Sequence, residues 1–372
     1  MKDTIATNLP VLTVEKTIDA LSASYCAVIN AGHSVKILPS VMLWGAPGIG
    51  KSQAVRQIAK EIESETQKHV NITDVRLLLF NPIDLRGIPT ANADKTLAIW
   101  LKPQIFQMDP SEDLVNILFL DEISAAPQSV QAAAYQITLD RVIGEHKLPD
   151  NCIVIAAGNR VTDKSVAYKM PKALANRLLH IDVEGSFTSW QKWAVKAGIN
   201  EKVLGFLSAR NDRLFGFDPS NDDLAFATPR SWEMVSNILN NVNSDPEVVY
   251  PMIAGLIGSG AAIEFRSWCR IYSDLPDMED LFGGHPVTVP KSTDAIYAVV
   301  SSMTTYAREH KNDLDKIGHS LNYAKMLPAE YSALLVFQYK AIEKDYEKVL
   351  QRIPEYYDLA GMKGFIRNGS VR

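Results

Sequence analysis

The stretch Gly45-Ala46-Pro47-Gly48-Ile49-Gly50-Lys51-Ser52 decides how this chain is read. It fills every fixed position of the pattern GxxxxGK[ST], in which a glycine-rich turn lets successive backbone N–H groups wrap around phosphate oxygens. The apolar run Val41 to Trp44 precedes it, and Lys51 to Glu65 follows with Val55, Ile58 and Ile62 on one helical face. Strand, loop and helix in that order are the context the pattern requires, because the helix N-terminus adds favourable partial charge at the phosphate. In such a cradle Lys51 reaches the β- and γ-phosphates and the Ser52 hydroxyl ligates Mg²⁺.

Working outward, Val14 to Ile29 repeats apolar residues at three- and four-residue steps and predicts an amphipathic helix. Short apolar runs recur at Val75 to Leu79, Ile117 to Leu120, Ile153 to Ala157 and Leu178 to Val183. Runs of this kind suit parallel strands covered by helices on both faces. Gln128 to Leu139 reads as one of those helices, so the first half is expected to be an α/β domain. After about Gly185 helices dominate: Trp190 to Ala197, Glu201 to Ala209, Arg230 to Asn240 and Val249 to Phe265. The proline- and glycine-containing stretch Leu275 to Pro290 then separates these from helices at Ser292 to His310 and Pro328 to Leu350. The expected organisation is an α/β nucleotide-binding domain over 1–185, an all-α lid over 186–274 and a helical C-terminal extension over 275–372.

The run Ile117-Leu118-Phe119-Leu120-Asp121-Glu122 is a buried strand ending in two acids. Asp121 can hold Mg²⁺ beside Ser52 in the crevice at the carboxyl ends of parallel strands, and Glu122 can polarise an attacking water. Ala156-Ala157-Gly158-Asn159 closes the next strand with an uncharged amide. Asn159 is either a turn former after glycine or a group that positions the water near the γ-phosphate.

The 372 residues exceed a typical single core, and 47% hydrophobic with 22% charged residues excludes disorder and fibrous repeats. A net charge of -5 gives no global basic field for nucleic acid. Cys26, Cys152 and Cys269 are odd in number and widely spaced, which argues against a disulfide framework or zinc site and for a cytoplasmic location. No apolar segment approaches the ~20 residues of a membrane span, and the N-terminus lacks a leader pattern. There is no HExxH or GxSxG motif, and Trp190 and Trp193 fit a helix core better than a base-stacking platform.

The phosphate loop, the Phe119-Leu120-Asp121-Glu122 strand end and Asn159 resemble the Walker A, Walker B and first sensor motifs of a P-loop NTPase of the AAA+ type. Within that superfamily, Asn81-Pro82-Ile83-Asp84-Leu85-Arg86-Gly87-Ile88-Pro89 and Trp100-Leu101-Lys102-Pro103 resemble the insertion of the MoxR group. Asp121 to Pro127, Ala173-Leu174-Ala175-Asn176-Arg177 and Thr228-Pro229-Arg230-Ser231-Trp232 extend the likeness over about residues 15–275. The resemblance implies ATP and Mg²⁺ as cofactors and self-association into a ring, usually hexameric, with ATP between neighbouring subunits. It implies Arg177 as an arginine finger acting on the adjacent site and Arg230 as the second sensor in the lid. Many members follow the sensor Asn with Pro, whereas this chain has Arg160, a second cation that competes with Arg177 for the finger role.

The resemblance further implies that the Asn81 to Trp100 insertion and a hairpin over Leu139 to Pro149 project toward substrate or the pore. The function expected is Mg-dependent ATP hydrolysis coupled to remodelling of a protein client, in a system that often includes a von Willebrand factor A domain protein. The alternative is an ATP-driven nucleic-acid motor or an ATP-switched subunit of a DNA-processing system, for which Arg141 and Lys147 on the hairpin would be local cations.

Overall fold

The computed structural model describes residues 9–160, 170, 175–218, 220, 222–242 and 246–363, and among these described residues ten short strands and four α-helices build the first half of the chain. The strands are β1 (Val11–Thr13), β2 (Val41–Trp44), β3 (His69–Arg76), β4 (Ile88–Ala91), β5 (Ala98–Leu101), β6 (Leu114–Asp121), β7 (Val142–Ile143), β8 (His146–Lys147), β9 (Cys152–Gly158) and β10 (Leu179–Glu184). The helices are α1 (Val14–Asn30), α2 (Lys51–Thr66), α3 (Pro82–Arg86) and α4 (Gln128–Asp140). Six strands form one sheet in the order β1-β10-β2-β9-β6-β3, every neighbouring pair parallel.

Alternation of side chains across the pleat explains why the central strands are apolar throughout. Val41, Leu43, Ile117, Phe119, Ile153, Ile155 and Ala157 enter one core with α1 and α2. Met42, Leu118, Leu120, Val154 and Ala156 enter the opposite core with α4, Leu85 and Phe106. A strand buried on both faces favours apolar side chains, and the runs read from the sequence record that; the buried Asn116 of β6 is accommodated because its amide donates to the Asp109 carbonyl and to Asn151 Oδ1.

One strand departs from expectation. The apolar run chosen as a strand at Val75 to Leu79 is mostly a 3₁₀ turn over Leu77–Leu79, with Leu78 and Leu79 exposed. The strand is the polar segment His69–Arg76 before it. Among the described residues β3 pairs only with β6, as an edge strand, and its polar sequence lacks the continuous apolar signal of a central strand.

The chain divides into two compact units, Met1–Ser186 and Phe187–Arg372. Among the described residues the second unit is helical: α5 (Phe187–Ala197), α6 (Glu201–Ala209), α7 (Pro229–Asn241), α8 (Pro246–Ile257), α9 (Ser259–Cys269), α10 (Met278–Phe282), α11 (Thr293–Glu309), α12 (Leu314–Ala324), α13 (Ala329–Lys340), α14 (Tyr346–Leu350) and α15 (Pro354–Lys363). A single buried cluster runs from Trp190 to Leu359, so residues on both sides of Leu275 share one core. Its centre is aromatic, with Phe206 5.4 Å from both Trp232 and Phe265 between ring centroids. Trp190 is buried in this cluster and Trp193 packs against it.

The expected helix from Val249 to Phe265 is two helices broken at Gly258, whose φ is +82° and where a Cβ would meet the Ala225 carbonyl at 2.9 Å. The expected helix from Pro328 to Leu350 is likewise two, α13 and α14. Helix α12 had not been read from the sequence. Among the described residues, no helix is long and apolar enough to cross a membrane.

Candidate nucleotide site

The carboxyl ends of β2, β6 and β9 lie side by side because Trp44 pairs with Gly158 and Leu120 with Ala156 in register. Chemistry placed just beyond those residues therefore converges. From β2 the chain passes directly into Gly45, whose N–H donates to the Gly158 carbonyl at 3.3 Å. A Cβ on Gly45 would stand 2.6 Å from the Val183 carbonyl of β10, so only glycine lets the loop leave the sheet here. Gly50 caps α2 in the left-handed region, and the first backbone bond of the helix is Ala54 N–H to the Gly50 carbonyl at 2.8 Å. The amides of Lys51, Ser52 and Gln53 thus precede the helical ladder, a ready anion-binding array.

Lys51 is buried, and its ammonium donates to the carbonyls of Gly45 at 2.6 Å and Ala46 at 3.0 Å and to Asn159 Oδ1 at 3.0 Å. Ser52 Oγ donates to Asp121 Oδ2 at 2.8 Å, and Asp121 Oδ1 accepts the Glu122 N–H at 2.8 Å. The phosphate loop, the acidic strand end and Asn159 are one connected polar group. Ser52 and Asp121 are adjacent hard oxygen donors, which fit Mg²⁺. Among the described residues no three acidic, His or Cys side chains converge as a metal cage, so this pair fits an ion that takes its other ligands from phosphate and water.

Glu122 has a φ of +58°, a left-handed conformation that disfavours a non-glycine residue by about 1–2 kcal/mol. The Ile123 N–H holds the turn against the Ala157 carbonyl at 3.0 Å, and the N–H groups of Ala125 and Ala126 donate to the Glu122 carbonyl. Such strain is kept only where surroundings enforce it, and functional sites are where it concentrates. Ser124 ties the acidic turn to the sensor turn, its Oγ accepting the Asn159 N–H at 2.9 Å. Sequence reasoning passed over Ser124, although it lies inside the quoted Asp121 to Pro127 segment.

The two competing arginines differ in their surroundings. Arg160 Nε donates to Asp182 Oδ1 at 2.7 Å, a second guanidinium contact reaches the same carboxylate, and Nη2 donates to the Val183 carbonyl at 3.2 Å. Arg177 is exposed and makes no ion pair among the described residues. It sits in a turn closed by the Leu178 N–H on the Ala175 carbonyl at 3.3 Å. Ala173 and Leu174 of that segment lie outside the described residues. Arg230 belongs to the second unit, exposed in the first turn of α7. That helix begins with a reciprocal cap in which Ser231 N–H donates to Thr228 Oγ1 at 3.1 Å and Thr228 N–H to Ser231 Oγ at 2.8 Å.

The segment after α4 is a hairpin, β7 pairing antiparallel with β8 around Gly144, whose φ is +57°. The earlier insertion contains a second hairpin, β4 with β5. The two touch where His146 Nε2 lies 2.8 Å from the Trp100 carbonyl, and the β7–β8 turn packs on the end of α3, where a Cβ on Gly144 would meet the Arg86 carbonyl at 2.6 Å. Arg141 is no surface cation. It is buried and donates to the carbonyls of Cys152 at 2.6 Å and Leu38 at 3.0 Å, and burial lowers its pKa. Cys152 lies in the same core, its thiol pushed up to about 11 by burial, and all three cysteines are buried and free. Lys147 remains exposed.

Residues 40–180 match the family described as "ATPase family associated with various cellular activities (AAA)". A Bacillus subtilis (strain 168) protein, the uncharacterized protein YeaC, is 28% identical over 167 residues, 43% of this chain. The chain spans 45% of the length of that relative. Among solved structures, a Thermotoga maritima RuvB mutant is 14% identical with a TM-score of 0.35, over 78% of this chain and 84% of that one. PCH-2 of C. elegans is 12% identical with a TM-score of 0.35, over 83% and 72% respectively. The matched family segment contains the phosphate loop, the acidic strand end and Asn159, the residues that the geometry joins into one polar group.

Proposed function

We propose that this chain assembles into an AAA+ ring of the MoxR type, a hexamer, in which Mg-dependent ATP hydrolysis at subunit boundaries remodels or activates a protein client. Lys51 and the amides from Gly45 to Ser52 bind the phosphates, and Glu122 orients and deprotonates the attacking water. Asn159 Oδ1, already bonded to Lys51, places that water against the γ-phosphate side of the loop. Ser52 and Asp121 would hold Mg²⁺, which when bound with ATP offsets charge on the β- and γ-oxygens. Arg177 supplies positive charge to the neighbouring subunit's γ-phosphate, and Arg230 acts from the helical lid.

The observation that carries this reading is the contrast between the two arginines. Arg160 is engaged by Asp182 within its own subunit, while Arg177 is exposed without an ion pair among the described residues. A cation available at the surface suits action in trans, where fingers raise turnover by roughly 10³ to 10⁵. The test is complementation. Arg177→Ala and Glu122→Gln proteins should each be slow alone, and mixing them should restore turnover at boundaries pairing an intact Glu122 with an intact Arg177. Full turnover by Arg177→Ala alone would remove the finger assignment.

A protein client fits the charge of -5 and the inward commitment of Arg141, which withdraws one of the hairpin cations that a nucleic-acid pore would use. A client protein with a von Willebrand factor A domain is the partner to try first. The buried free thiols suit a reducing cytoplasm. Stimulation of the ATPase by DNA, with steep salt dependence, would instead favour a nucleic-acid motor.

A further inference from the structure

A chain of two hydrogen bonds links the strand that carries the phosphate loop to the turn that carries Arg177. The Trp44 indole N–H donates to His180 Nδ1 at 2.9 Å. With that nitrogen accepting, the neutral ring carries its proton on Nε2, which donates to the Ala175 carbonyl at 2.7 Å. The same carbonyl accepts the Leu178 N–H that closes the turn around Asn176 and Arg177. The rings of Trp44 and His180 are near parallel at 15°, their centroids 6.1 Å apart. Trp44 is bonded covalently to Gly45, and His180 pairs with Met42 in the sheet. Sheet pairing fixes the backbone of β10, and Leu178 and Ala175 pack in the core shared with Met42; the hydrogen bonds that tie the Ala175 carbonyl to β2 run through these two side chains.

We infer that Trp44 and His180 are positioning residues: they set the Arg177 turn relative to the phosphate loop of the same subunit, so that the state of one nucleotide site reaches the arginine offered to the next. The inference rests on the finger reading of Arg177. Neither side chain need touch ATP. A displacement of Gly45 on nucleotide binding moves Trp44, and the indole N–H and the imidazole pass it to the Ala175 carbonyl. The coupling is local and directional because a hydrogen bond weakens steeply once its angle is lost.

The experiment uses the full chain. Trp44→Phe keeps an aromatic body and deletes the N–H; His180→Gln keeps an amide donor for the Ala175 carbonyl and displaces the acceptor from Trp44. Each should lower kcat roughly three- to tenfold, the span of one hydrogen bond. The KM for ATP should stay within about twofold, since phosphate contacts are intact. The double variant should be no slower than the slower single one, because both break the same link. Unchanged kcat in both, or a loss confined to KM, would overturn the inference. If Trp44→Phe does not fold, His180→Gln decides alone by the same kcat criterion. The outcomes separate from the finger reading through Arg177→Ala: if that variant is slow and these two are not, the finger stands and the link falls. If Arg177→Ala retains full turnover, the finger reading itself fails.

Discussion

The Lys51 ammonium donates to Asn159 Oδ1 at 3.0 Å, joining the phosphate loop to the end of a strand more than a hundred residues away in the chain. That contact ties Asn159 to the lysine of the glycine-rich loop. Asn159→Ala should lower kcat about 10- to 100-fold, with a smaller change in the KM for ATP. Asn159→Asp should also raise the KM clearly, because a carboxylate at that distance pairs with Lys51 and repels the γ-phosphate. Steady-state ATPase kinetics on both variants check this.

Glu122→Gln should bind ATP and hydrolyse it about 10²- to 10⁴-fold more slowly, since the amide preserves shape while losing the base. Glutamine in place of glutamate leaves the left-handed backbone at residue 122 as it is, so the melting temperature should hardly move. Nucleotide-binding titration beside turnover separates the two effects.

The two arginines should part in opposite ways. Arg160→Ala leaves the buried Asp182 carboxylate without its partner and should destabilise the first unit by up to about 3 kcal/mol. Arg177→Ala should leave stability unchanged and abolish most turnover. Thermal melts and ATPase rates on the pair give the comparison.

Gly144→Ala should disturb the packing of the β7–β8 turn on the end of α3, because the added Cβ would stand 2.6 Å from the Arg86 carbonyl at a backbone with φ of +57°. A destabilisation of about 1–3 kcal/mol is expected. Basal turnover should persist while any client-stimulated rate falls. Removing Asn92 to Lys95 at the tip of the β4–β5 hairpin should do the same without the loss of stability.

The three thiols should resist alkylation in the native state near neutral pH. Burial pushes Cys152 up to about 11 and Cys269 up to about 12, and raises Cys26 as well, which disfavours the reactive thiolate. Thiol titration before and after unfolding in denaturant should report the three groups only after unfolding.

Sequence alone determined the parts that depend on neighbours along the chain. The glycines of residues 45–50, the strand before them and the helix after them are local requirements of wrapping backbone around phosphate, so the loop was legible. The central strands were legible because burial on both faces favours continuous apolar runs. An edge strand obeys no such rule, and β3 was misplaced onto the exposed leucines that follow it. The breaks at Gly258 and between α13 and α14 were read through, because amphipathic periodicity continues across a change of direction.

Tertiary structure decided what depends on residues distant in sequence. Arg160 and Arg177 are equal as letters, and only the arrival of Asp182 on the neighbouring strand β10 distinguishes them. Arg141 reads as a hairpin cation until the carbonyls of Leu38 and Cys152 close around it. Ser124 and His180 have no motif of their own and acquire roles from the backbone groups they hold. The physical reason is common to all of them: a phosphate loop is built by consecutive dihedral angles, whereas a paired charge or a shared hydrogen bond exists only once the sheet has brought its two ends together.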